Sequence, residues 1–288
     1  MMTTTLDENA PLDATQDITL DATQDGAASA HLAWHAEREA ALTTEHGWLS
    51  LVALHWLPVE PTALPSLPGR WSVADDGAAV VHARASDAIT SGGAPVDGEV
   101  RVLVEEGRSS SELAFTAHDG TAVVVEVIRR TARTAVRVRD PRAAALTAFT
   151  GVPIAAFDPQ WVLDVPVTWY DEPRPAVAGA AQHGLVHHVR AVGEVVLERA
   201  GRSATLQLTE AGDGTVALLF SDESPDVAPW RVLQAPGRPD DTNLRLDLNR
   251  SVNLPYAFSD FGTCPAPLAG NHVPFAVTVG ERRPERAA

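Results

Sequence analysis

The sequence contains no lysine: all 22 basic residues are arginines, set against 38 aspartates and glutamates, for a formal charge of −16. That balance argues against a nucleic-acid binder, which needs a basic face to neutralise phosphates. It speaks equally against docking on anionic lipid. Cysteine is nearly missing too. With Cys264 alone, neither an intrachain disulfide nor a cysteine-based zinc cage within one chain can form. No apolar run approaches the ~18 residues of a spanning helix. The start, Met1 to Asp7, has neither the basic residues nor the apolar stretch of a signal peptide. The expectation is a cytoplasmic protein with neither nucleic acid nor membrane as partner.

Familiar catalytic signatures are absent as well. There is no Gly-x-Ser-x-Gly, no phosphate-binding P-loop, no Gly-x-Gly-x-x-Gly after a strand and no His-Glu-x-x-His. Serine hydrolase, nucleotide kinase, dinucleotide dehydrogenase and zincin readings therefore lose their usual support, and no cofactor is implied.

What is present organises the chain into four parts. Residues 1–28 carry six acidic residues, no arginine and a near-duplication, Leu12–Asp17 and Leu20–Asp25. Such a segment buries too little apolar surface to offset its ordering entropy, and reads as a disordered acidic tail. Residues 29–58 read as a helical arm, with Leu32, His35, Glu39 and Leu42 at helical spacing, Gly47 interrupting, and the apolar run Trp48–Leu57 stopping at Pro58. From residue 59 the pattern is β. Glu99–Glu105 and Ala135–Arg139 alternate with period two, while Ala122–Ile128 is apolar on both faces, as a central strand would be. A helical turn over 140–151 separates a first β subdomain, 59–150, from a second, 151–288. The second carries strands expected at 160–168, 185–199, 203–209, 215–220, 229–233, 243–248 and 273–280, and a polar end expected to fray. Frequent Gly and Asp turn signals favour antiparallel sandwiches or barrels over βαβ units. The fold class is mainly β (α+β overall), with a helical N-terminal arm.

Two stretches carry a family likeness. One runs from Trp34-His-Ala-Glu-Arg38 through Gly47-Trp-Leu-Ser-Leu to Leu57. The other is Leu246-Asp-Leu-Asn-Arg250-Ser-Val-Asn253-Leu-Pro255-Tyr-Ala-Phe258, with Thr263-Cys-Pro-Ala-Pro267 and Asn271-His-Val-Pro274. In these the sequence resembles the DUF1684 family from about residue 30 onward. The resemblance implies a mixed β protein with a helical N-terminus and brings no assigned reaction. One departure stands out, since Tyr256 occupies a slot where the family pattern places a second cysteine.

The C-terminal signature is also the best candidate site. Asn249, Arg250, Asn253, Tyr256 and Asn271 are interleaved with prolines. They either lock an irregular loop by internal hydrogen bonds or line a pocket in which Arg250 grips a carboxylate or phosphate. Arg139 is a further candidate contact, although Arg137 and Arg139 read first as a solvated strand face with a local ion pair. His183 and His187 lie roughly 13 Å apart on a strand and read as surface residues. His31 and His35 lack a third ligand, so no metal site is expected. Cys264, beside Pro265, reads as a structural thiol, and Trp34, Trp48, Trp56 and Trp71 as core. Three functions stay open: a binding module for a small anionic molecule, a hydrolase using Asp247 or Asp260 as acid/base, and a structural or interaction protein.

Overall fold

A computed structural model describes residues 14–212 and 214–286. The chain opens with a helix, α1 (Ala14–Leu42), whose docked face presents His31, His35 and Leu42. His35 and Leu42 of the expected face are buried, whereas Leu32 is 63% exposed and His31 takes its place. Of the tail expected over 1–28, residues 1–13 lie outside the described residues and 14–28 are helical.

The arm ends at Leu42. The apolar run beyond it is a short 3-10 turn, Trp48–Ser50, followed by strand β1 (Leu51–Trp56). β1 pairs antiparallel with β9 (Arg133–Arg139), which pairs with β8 (Ala122–Arg130). The sheet continues through β7 (Ser109–Thr116) to β4 (Ile89–Ser91) and β5 (Ala94–Pro95). A three-stranded sheet of β2 (Arg70–Val73), β3 (Ala79–Ala83) and β6 (Gly98–Val102) packs over it. The shared core holds Trp71, Val81, Val102, Val125, Val127 and Val136. Alternation places these inward, and their burial is the main stabilising contribution of this unit.

A single short helix, α2 (Ala144–Thr147), lies in the expected helical turn. The second unit is one six-stranded antiparallel sheet. Its order is β14 (Arg231–Pro236), β13 (Thr215–Phe220), β12 (Arg202–Gly212), β11 (Val186–Arg199), β10 (Val162–Gly179), β15 (Asn243–Asp247). β14 and β15 lie side by side, so the sheet curls into a nearly closed barrel and few strand edges stay open. Its interior holds Trp161, Leu206, Leu208, Phe220, Leu233 and Leu246.

The segment expected as a strand over 273–280 forms no ladder. Val273, Val277 and Val279 instead enter the barrel core from a chain with only isolated bridges. Buried Arg231 fastens that chain, donating from Nη1 to the Val279 carbonyl (2.6 Å) and from Nη2 to the Val277 carbonyl (3.0 Å) and Asp222 (2.8 Å). Gly280 makes the final bend possible. Its φ is +81°, and a Cβ there would sit 2.7 Å from the Ser251 carbonyl. The next residue, Glu281, is therefore fully buried rather than frayed.

Candidate functional site

Helix α1 lies against the barrel through Glu281. Arg38 donates from Nε to its carboxylate at 3.3 Å and from Nη2 to the Asn253 carbonyl at 2.9 Å. The Asn253 backbone N–H donates to the other carboxylate oxygen at 2.6 Å, and His35 lies 4.0 Å from the group. Burial pushes the Glu281 carboxyl above its ordinary range, while Arg38 pulls it back. Two buried histidines sit on the same helix face, with His31 stacked against Trp34 at 5.5 Å. Desolvation holds both below the ordinary histidine range. Among the described residues no group of three metal-ligating side chains converges here or elsewhere.

This docking leaves a cleft of about 500 Å³ between α1, the 3-10 turn and the barrel wall. Trp34, Arg38 and Trp48 line one side, with Gln234, Arg250 and Asn253 opposite. Trp34 and Arg38 stand at i and i+4, hence on one helix face. The guanidinium of Arg250 lies 5.4 Å over the Trp34 ring, and its Nε is 3.5 Å from Asp247. Among the described residues Arg250 donates no hydrogen bond, so its terminal nitrogens are available. The Oδ1 of Asn253 is buried without a partner, while its Nδ2 donates to the Arg282 carbonyl at 2.7 Å.

Across Arg38 and Trp48 the cleft meets a second hollow of about 630 Å³, reaching Ser111, Val124 and Arg139. Here the solvated face expected for Arg137 and Arg139 proves to be buried, because the 46–50 turn and the 263 loop cover it. Glu126 compensates both arginines, accepting from Arg139 at 2.8 and 3.1 Å and from Arg137 at 3.4 Å. Arg139 also donates to the Gly47 carbonyl at 2.6 Å and lies 4.9 Å over Trp48. Trp48, expected in the core, keeps 37% of its surface exposed. Among the described residues, no aspartate or glutamate side chain lines either hollow.

The six sequence candidates are thus divided. Arg250 and Asn253 line the cleft, and Arg139 lines its extension. Asn249 is a fully buried brace, exchanging hydrogen bonds with the Asp158 backbone at 2.9 and 3.0 Å. Tyr256 clasps the Trp230 backbone at 2.7 and 2.8 Å and stacks on its ring at 4.0 Å. Asn271 bridges the backbones of Gln207 and Leu219. Trp34, Arg38, Trp48 and Gln234 were not among the candidates. The signal for the first two was the i, i+4 pairing of a tryptophan and an arginine on the docked helix.

The hydrolase candidates find no such setting. Asp247 caps the turn at Asn249, accepting from its backbone N–H at 3.2 Å and from its Nδ2 at 2.9 Å, and Asp260 pairs with Arg286 on the surface. Cys264 is buried and burial raises its thiol pKa, the opposite of an activated nucleophile. His187 is half-buried, its Nε2 2.6 Å from the Thr263 carbonyl. No described helix is long and apolar enough to cross a membrane.

Residues 147–282 match the family model described as "Protein of unknown function (DUF1684)". No curated protein sequence matches the chain. Among solved structures, it is similar to an uncharacterized protein of Haloarcula marismortui determined by solution NMR. That likeness has 24% identity and a TM-score of 0.40, over 47% of this chain and 78% of that one. The matched stretch, residues 147–282, holds the barrel and the Arg250–Asn253 wall of the cleft, and it is there that the chain is similar to the DUF1684 family.

Proposed function

We propose that the protein binds a small organic anion in the cleft between α1 and the barrel, with Arg250 and Arg38 as its cationic contacts. The observation that carries this reading is the lining itself: two arginines and two tryptophans and, among the described residues, no carboxylate side chain, on a strongly acidic protein. Guanidiniums beside an indole face favour a delocalised anion, through charge-assisted hydrogen bonds and stacking.

Tryptophan fluorescence tests this, because Trp34 and Trp48 border the cleft. Titration with benzoate, acetate and phenyl phosphate is expected to give saturable quenching for at least one of them. In Arg250→Ala that response should weaken by about tenfold to a hundredfold, the worth of a hydrogen bond to a charged group. Quenching that is equally strong in the variant would remove Arg250 from the site and the reading with it.

A further inference from the structure

The arginine cleft does not end at the barrel wall. Val232, Gln234 and Leu254 also line a neighbouring cavity of about 310 Å³ on the outer face of the barrel. Its floor crosses the strands through Leu219 and Ala217 on β13, Thr209 on β12, Val189 on β11 and Ala178 on β10. From β14 to β10 that is four strand spacings, roughly 19 Å. The loop carrying Pro265, Ala266 and Leu268 forms the far wall, held to the sheet by the Ala266 N–H donating to the Gly179 carbonyl at 2.8 Å.

Apart from Gln234 on the wall shared with the cleft, the polar side chains of this second cavity are engaged elsewhere. The Thr209 hydroxyl donates to the Ala217 carbonyl, the Asn271 amide is spent on two backbones, and Glu210 pairs with Arg190 at 3.4 Å. What remains is an apolar floor that adjoins the cleft of Arg250 and Arg38 across the shared wall of Val232, Gln234 and Leu254. Charge sets the direction, since an anionic head is drawn to the arginines and repelled by Glu210. Each arginine already has one carboxylate partner, Asp247 for Arg250 and Glu281 for Arg38, which disfavours a multiply charged head.

Resting on the anion-binding reading above, we propose that the ligand is an amphipathic monoanion, an alkyl carboxylate with its head at Arg250 and its chain along the β14-to-β10 groove. Its affinity then rises with chain length until the groove is filled. Each buried methylene adds about fourfold.

Isothermal titration of the full chain with acetate, hexanoate and decanoate, the last below its micelle concentration, tests this. The expected result is a steep gain from acetate to decanoate. Leu219→Gln, which places an amide on the groove floor, should weaken decanoate by about tenfold or more and leave benzoate quenching unchanged. Val189→Gln supplies the same test at a second position should the first variant fold poorly. Equal affinity for the three carboxylates, or no binding by any, overturns the chain-binding proposal. Arg250-dependent benzoate quenching in the same protein would then show that the simpler anion site stands. Decanoate binding that survives Arg250→Ala overturns the assigned orientation.

Discussion

Glu126 is a single charge that compensates two buried arginines. Its carboxylate has a 6% exposed side chain and accepts from two arginines whose side chains are 2% and 10% exposed. Replacing it with glutamine keeps the volume and removes the charge, leaving two buried guanidiniums at adjacent same-face positions of β9 without compensation. Breaking a buried pair in this way costs about 3–5 kcal/mol. At about 2–4 °C per kcal/mol for a chain of this size, a 3 kcal/mol loss lowers Tm by about 6–12 °C. The loss has a local sign as well, because Arg139 holds the His46 and Gly47 carbonyls and thereby the turn that carries Trp48. Urea unfolding followed in parallel by circular dichroism and tryptophan fluorescence measures both effects. A loss below about 1 kcal/mol would mean that the cluster is hydrated, and the argument from burial would be wrong.

Three further outcomes follow from other contacts. Tyr256→Phe keeps the stack on Trp230 but strands a buried N–H and carbonyl, so it should cost about 1–3 kcal/mol in urea unfolding. Asn271→Ala severs three barrel hydrogen bonds and should cost at least as much by the same measurement, with the loop at 263–271 becoming protease-sensitive first. Acid should loosen the docked helix. The folded pKa values of His31 and His35 lie below the unfolded value near 6.5, so the unfolded chain binds more protons in that window. Their contribution is present above pH 6.5 and is lost as pH falls toward the folded values. Glu281 acts in the opposite sense, since its raised folded pKa favours the fold at lower pH. In His31→Gln the loss of stability between pH 7.5 and 5 should shrink, as read by thermal unfolding across that range.

Much of the fold was legible where side chains alternate against water. Glu99–Glu105 and Ala135–Arg139 announced strands because one residue in two had to be apolar, and β6 and β9 lie there. The run Leu51–Trp56 was not readable in this way. An apolar stretch with no alternation fits a buried helix or a buried strand equally well, and only pairing with β9 decides between them. Val273 to Val279 failed in the opposite direction. Its alternation is real, but the valines plug a barrel instead of joining a ladder. The site was half legible for a similar reason. Prolines and asparagines marked the 249–271 loop as rigid, yet the same chemistry serves braces such as Asn249 and Asn271 and a cleft residue such as Arg250. Trp34 and Arg38 join that loop across more than 200 residues of sequence, through a buried carboxylate, Glu281, in a segment that reads as a polar end.

The most direct measurement of the central claim is native mass spectrometry of gently purified protein, comparing wild type with Arg250→Ala. The account predicts a co-purifying organic anion on the wild type that is missing from the variant. An adduct of the same mass and occupancy on both proteins would contradict it.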